Sequence, residues 1–327
     1  MLVRLHFLCD SPVVEVDPFS DVFRLINAQT VVSGGFTAGG SWAIRFPTPD
    51  KIKFCAIVKG RCWVQVDDAE PERAEAGDIL LLSSQRSFVL ASDIGVPPVD
   101  ATGLFVGEGG NRSARLGTGD DFAQLGGHVR LDPGSGRMLE DVIPPWIHVR
   151  ASSAQAGILH WLLEQLVAER SAKRPGNGVV SSQLAQLMLV QILRAHWAEA
   201  PFPPGWLKAL GDPGLARVLS LMHGDPGRRW QLEELAAAAA MSRSVFAARF
   251  KSAAGVPPMT YLQNWRIRLA EQALRDQDTH IAALAPTLGY TSESAFTHAF
   301  KRISGMAPKR YREWARNKAF GGVSSDS

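Results

Sequence analysis

Serine, lysine and paired phenylalanines recur at a fixed offset near the end of this 327-residue chain. A shift of 50 residues superimposes Ser242 on Ser292, Ser244 on Ser294, Phe246 on Phe296, Phe250 on Phe300, Lys251 on Lys301, Gly255 on Gly305, Pro258 on Pro308 and Tyr261 on Tyr311. Eight identities within 20 residues mark two copies of one supersecondary unit. In each copy the serine suits an N-cap, the phenylalanines at i and i+4 share a helix face, and the glycine stands where a C-terminal cap belongs. Turning the phenylalanines inward leaves Ser244, Ala247, Ala248 and Lys251 outward in the first copy, with Arg243 at the helix start. The same positions in the second copy are Ser294, Thr297, His298 and Lys301, with Glu293 at the start. Hydroxyl and imidazole groups suit base edges, whereas lysine and arginine suit phosphates. Alanine carries no hydrogen-bonding group, so polar readout is expected mainly from the second copy, with the first adding phosphate anchoring and apolar contact.

These side chains need elements to hold them. A second helix is expected before each copy, over Gln231 to Ala240 and His280 to Leu288, joined to it by a short turn, which is a helix-turn-helix. A long helix from Met259 to Asp276 joins the copies, so two recognition helices can enter major-groove segments about one turn, ~34 Å, apart. Pro286 inside the second lead helix removes a backbone donor at a cost of about 3 kcal/mol, and a bend is expected there.

Charge separates this region from the rest. Residues 206 to 327 hold 17 basic and 10 acidic residues, a formal +7, against 18 and 22 in residues 1 to 205. A basic module that binds a polyanion, joined to an acidic module with another task, is the expectation. Apolar content of 46% and charged content of 20% exclude wholesale disorder and a disulfide scaffold. Leu184 to Leu193, the longest apolar run, is broken by Gln186 and Gln191 and is too short to span a bilayer. The opening MLVRLHFLCD is interrupted by Arg4 and His6 and lacks a signal-peptide cleavage site, so a cytoplasmic protein without a membrane partner is expected. Cys9, Cys55 and Cys62 contain no CxxC pair and read as reduced thiols.

Ahead of about Asp100, short β-branched and aromatic runs at residues 29–33, 42–46, 54–58, 62–66, 79–82 and 88–90 alternate with turn residues. This spacing predicts an antiparallel β-sandwich or barrel, with hairpin turns at Lys59-Gly60-Arg61 and Asp67-Asp68 and a sharp turn at Ala76-Gly77-Asp78. A hairpin at Gly60 would hold Cys55 and Cys62 too far apart for a disulfide, favouring structural thiols. An exposed loop is expected at Gly107 to Asp121, and further strands at residues 127–131 and 146–149. Trp42, Phe46, Phe54, Trp63 and Phe88 either line a small-molecule pocket or simply fill the core. Amphipathic helices follow at residues 156–170 and 181–197, separated by Pro175-Gly176-Asn177-Gly178 and ended by Pro201-Phe202-Pro203-Pro204-Gly205. One apolar face can cover the sheets, and the other, with Leu187 and Met188, suits a homodimer seam.

Trp230 to Trp314 resembles the AraC/XylS DNA-binding domain. The resemblance rests on Tyr261-Leu262-x-x-Trp265-Arg266-x-x-x-Leu269-Ala270 and Gly289-Tyr290-x-Ser292-Glu293-Ser294-x-Phe296-x-x-x-Phe300-Lys301. Trp42 to Leu90, particularly Phe54 to Gly60 and Gly77 to Leu82, is more loosely similar to the cupins of such regulators. The resemblance implies an α+β chain of two domains, a cupin-like sandwich or barrel with helices and an all-α double helix-turn-helix. Residues 1–155 are expected to bind an effector, 156–205 to dimerise or link, 206–318 to bind DNA, and 319–327 to form a disordered tail. Double-stranded promoter DNA, a small-molecule effector, a second copy of the chain and RNA polymerase are the partners it implies. Many cupins hold a metal on clustered histidines, but here Cys55 and Phe88 stand at expected ligand positions and residues 40 to 95 contain no histidine. No bound metal, cofactor or catalysis is therefore expected, and no P-loop, nucleophile elbow or HExxH motif occurs. The contending readings are a metal-free ligand-binding protein whose helical half is an interaction module and, further off, a cupin-type enzyme.

Overall fold

The computed structural model describes residues 16–48, 51–83, 86–105, 112–132, 134–172, 174–276 and 280–321. The chain divides into two compact units, Phe23–Lys208 and Ala209–Ser327, the latter including the segment up to Val22. Helix α1 (Pro18–Leu25) crosses that division.

The first unit continues with β1 (Gln29–Gly39), β2 (Ala43–Phe46), β3 (Ile52–Lys59), β4 (Arg61–Val66), β5 (Glu72–Glu75), β6 (Ile79–Leu82), β7 (Phe88–Ala91), β8 (Val99–Asp100), β9 (Arg112–Gly117) and β10 (Phe122–Arg130). Helix α2 (Arg137–Glu140), β11 (Trp146–Val149), α3 (Ala156–Ala172) and α4 (Asn177–Glu199) complete it. One sheet has the order β11-β6-β3-β10-β1-β9 and the other β5-β4-β7-β2-β8, and a single apolar core draws on both. The sheets form a sandwich and do not close into a barrel. Pairing is mixed, because β9 runs parallel to β1 and β8 parallel to β2.

Gly60 does not turn a hairpin. β3 pairs with β10 and β6, while β4 pairs with β5 and β7, so the chain passes at Gly60 from one sheet to the other. Gly60 has φ +80°, and a Cβ there would meet the Asp121 carbonyl at 2.3 Å. Only glycine fits such a corner without strain. The loop expected at 107–121 contains β9, whose carbonyls and amides are drawn into the ladder beside β1; residues 106–111 lie outside the described residues.

Helices α3 and α4 belong to the sandwich unit. β3 is buried on both faces, a pattern that requires a cover on the side away from the second sheet. Helix α4 turns Ala185, Met188, Leu189 and Ile192 inward, and Ser182 Oγ donates to the Thr30 carbonyl at 3.0 Å. Gly176, with φ +84°, lets α4 start at Asn177, inside the expected breaker.

The second unit holds α5 (Trp206–Leu210), which begins before the division, then α6 (Pro213–Gly224), α7 (Leu232–Ala238), α8 (Arg243–Ala254), α9 (Pro258–Asp276), α10 (Ile281–Thr287), α11 (Glu293–Ser304) and α12 (Pro308–Gly321). Helix α12 continues three residues beyond 318, and residues 322–327, the rest of the expected tail, lie outside the described residues. The repeat is visible in its packing. Phe246 and Phe250 lie 5.7 Å apart with Phe250 5.7 Å from Tyr261; Phe296 and Phe300 lie 5.7 Å apart with Phe300 5.4 Å from Tyr311. Behind the first copy, His223 stacks on Trp265 at 3.8 Å and bonds the Tyr261 hydroxyl at 2.9 Å, and burial holds its imidazole below the ordinary pKa.

Candidate nucleic-acid interface and ligand cavity

Caps place each recognition helix. Ser242 Oγ accepts from Val245 N–H and Ser292 Oγ from Ala295 N–H, while Gly255 and Gly305 end α8 and α11 in the left-handed region. The turn from α7 to α8 uses Ala240 at φ +55°; the corresponding turn uses Gly289 at φ +77° and is one residue longer. The bonds Met241 N–H to Ala236 O and Tyr290 N–H to Ala285 O show the 49-residue offset before the turn, which becomes 50 after it. Pro286 occupies the last turn of α10, so the intrahelical bond forfeited is the one to Ala282, and α10 keeps the seven-residue length of α7.

Arg266 of α9 binds the loop ahead of α7 and lies beside the turn into α11. Its Nε donates to the Pro226 carbonyl at 2.6 Å and its guanidinium to the Arg228 carbonyl at 2.8 Å. A Cβ at Gly289 would lie 2.9 Å from that guanidinium and 2.4 Å from the Gly227 carbonyl, so the close approach and the positive φ both require glycine.

On α8, Arg243, Ser244, Ala248 and Lys251 are exposed, and Ala247 is half-buried; on α11, Glu293, Ser294, His298 and Lys301 are exposed, and Thr297 is half-buried. Arg243 pairs with Glu233 of α7 at 2.9 Å, which ties the recognition helix to its partner. Val245 was not singled out from the sequence and is 53% exposed at the start of α8. An apolar side chain held out at that position can contact a thymine methyl, and its place immediately after Ser244 was the available signal. Arg249 and Arg302 are also exposed, bound to Asp212 and Gln263 respectively.

The other site lies between the sheets, a cavity of about 320 Å³. Phe46 and Phe88 line it, stacked at 4.5 Å, and Phe105 adds a third ring 6.0 Å from Phe46. Trp42 is buried in the same core, 4.6 Å from Phe122, without lining the cavity. Phe54 reaches the cavity, but a Cβ at Gly127 would meet its ring at 2.2 Å, and it also borders an apolar gap beneath α4 with Met188 and Ile192. Trp63 faces away from the core, under the Arg73 guanidinium at 4.8 Å, because Cys62, Val64 and Val66 take the inward positions of β4.

The polar lining came to light only through strand register. Lys53 of β3 lies opposite His128 of β10, and Cys55 opposite Gly126. His128 Nδ1 bonds Ser33 Oγ at 2.7 Å, Gln124 Nε2 donates to Cys55 Sγ at 3.1 Å, and Lys53 Nζ stands 5.5 Å from the Phe46 ring centre. A lysine between Ile52 and Phe54 was the available sign. Burial pushes the Cys55 thiol up to about 11 and the Cys62 thiol up to about 12, so both stay protonated and unreactive near neutral pH. Cys9 lies outside the described residues. Among the described residues no cluster of three or more histidine, cysteine or acidic side chains could hold a metal ion. Among them, no helix is long and apolar enough to cross a membrane.

A double helix-turn-helix with exposed recognition faces, joined in one chain to a sandwich with an aromatic cavity, defines a DNA-binding regulator. The cupin family profile matches residues 17–198 and the helix-turn-helix domain profile residues 235–313. An AraC-like transcription regulator of Streptomyces lividans is 40% identical over 300 residues, covering 91% of this chain and 98% of its own. The HTH-type transcriptional regulator AlkR of Acinetobacter baylyi is 31% identical over 305 residues, covering 91% of this chain and 99% of its own. Among solved structures, the DNA-binding domain of AdpA in complex with a target DNA is similar to 34% of this chain, at 31% identity and a TM-score of 0.32. The chain belongs to the AraC family of transcription regulators, and its C-terminal unit is the DNA-binding domain.

Proposed function

We propose that the protein is a cytoplasmic, non-enzymatic regulator whose DNA binding answers to a small, largely apolar effector held between the sheets. The observation that carries this reading is the 320 Å³ cavity, walled by Phe46, Phe88 and Phe105 and offering Lys53, His128 and Ser33 as orienting polar groups. Apolar walls with few polar groups are the usual make-up of a small-molecule site. RNA polymerase is the partner through which such a regulator would act on a promoter.

A thermal-shift screen of small apolar molecules tests the reading. A ligand at 100 times its Kd adds about 2.7 kcal/mol, or roughly 5 to 10 °C for a unit of this size. Ala101→Phe, which fills the cavity, should abolish the shift and the ligand's effect on gel retardation of the protein's own upstream DNA. A hit that shifts the filled variant equally would place the effector elsewhere.

The homodimer forms through the outer face of α3 and α4. Ile158, Trp161, Val180 and Leu187 are 43%, 51%, 42% and 41% exposed there, whereas Met188, adjacent to Leu187, is 1% exposed and belongs to the core. Exposed apolar side chains on two helices that pack side by side support an association surface. Trp161→Glu with Leu187→Glu should halve the mass measured by sedimentation equilibrium without changing the circular dichroism. A folded variant of unchanged mass would put the seam elsewhere.

A further inference from the structure

We propose that the groove between the start of β1 and the turn joining α3 to α4 binds a small phosphorylated molecule of nucleotide size. The groove measures about 630 Å³ and shares no lining residue with the cavity between the sheets. Three guanidinium groups come to it from separate elements: Arg130 ends β10, Arg170 lies in the last turn of α3, and Arg174 lies in the connector. No aspartate or glutamate is among its described lining residues.

Two further features point to an anion. The groove contains the N-terminal end of the 23-residue helix α4, whose backbone dipole favours negative charge. Ser181, in the second turn of that helix, lines the groove and is 5% exposed, yet its hydroxyl has no hydrogen-bond partner. A buried hydroxyl is costly to leave unsatisfied, and a ligand oxygen would satisfy it. Burial also holds the Arg170 guanidinium below its ordinary pKa.

The arrangement favours phosphate over carboxylate. One carboxylate occupies one guanidinium fork, whereas a di- or triphosphate spreads charge over enough oxygens to engage three. Val31 and Val32 supply an apolar wall for the organic body, and the volume falls in the range of sites for molecules of that size.

Isothermal titration of the full-length protein with ADP and with inorganic pyrophosphate, at low and moderate salt, tests the proposal. Wild type should bind ADP, and more weakly as salt rises, because the contacts are ionic. Arg130→Gln with Arg174→Gln should weaken binding by about tenfold or more. Ser181→Ala should weaken ADP binding while leaving the melting temperature of the free protein unchanged or higher, which a purely structural serine would not do. Ala101→Phe, which fills the other cavity, should bind ADP as wild type does. Absence of binding by ADP and pyrophosphate at about 1 mM, or equal binding by wild type and the arginine variant, overturns the proposal. So does an arginine variant that loses affinity for upstream DNA when wild type binds neither phosphate compound, since the groove would then serve the duplex.

Discussion

Changing His298 to Ala should weaken binding to the preferred DNA site by about 1 to 3 kcal/mol, roughly 5- to 150-fold, and relax sequence preference at the base pair it reads. His298 is exposed on α11, four residues after Ser294 and on the same helical face, whereas the matching position on α8 is Ala248. Thr297 is half-buried, so the imidazole should carry more of the polar readout than the sequence pattern alone implied. Lys251→Ala and Lys301→Ala should instead weaken all sequences alike and lower the salt slope by about one unit each, as expected of phosphate contacts. Val245 and Ala248 put apolar groups among the exposed Arg243, Ser244 and Lys251 of α8, so its part in specificity should lie mainly in contact with thymine methyls. Binding-site selection on wild type, Ala248→Asp and His298→Ala decides the matter. If Ala248→Asp abolishes specificity while His298→Ala retains it, readout belongs to the first helix.

Replacing Phe300 by Ala should destabilise the second helix-turn-helix by about 3 to 5 kcal/mol, a large part of the ~5 to 15 kcal/mol that holds a typical domain folded. Phe300 is fully buried, and its ring lies between Phe296 at 5.7 Å and Tyr311 at 5.4 Å. Truncation removes contacts to α12 as well as within α11, leaving a void that fixed backbones cannot collapse to fill. Phe250→Ala should cost a similar amount, since Phe250 has the equivalent place between Phe246 and Tyr261. Urea unfolding of the full-length protein, followed by calorimetry, should show the helical transition falling while that of the sandwich stays in place. Losses below about 1 kcal/mol in both variants would mean the aromatic pairs are not the cores of the two copies.

What could be read from the chain was what depends on near neighbours. The caps at Ser242 and Ser292, the C-caps at Gly255 and Gly305 and the paired phenylalanines all act within a turn or two of their own backbone, and a doubled pattern removed ambiguity. The recognition-helix positions followed from the same 3.6-residue period. Even the departure at Pro286 was visible, although its consequence depended on falling in the last turn of α10, where little helix remains to kink.

Strand identity was legible for the same reason, because alternation and turn residues are local. Pairing was not. Lys59-Gly60-Arg61 has the composition of a hairpin and acts as a corner between sheets, a distinction decided by the Asp121 carbonyl, 61 residues further along, pressing against Gly60. Register then decided the cavity: β3 is largely buried on both faces, and only its pairing with β10 brings Lys53 opposite His128 while Phe54 pairs with Gly127. A strand buried on both sides has little polar face to betray its orientation, so the amino acids determined the fold family and the outward faces of α8 and α11, and long-range backbone pairing determined which side chains line the cavity.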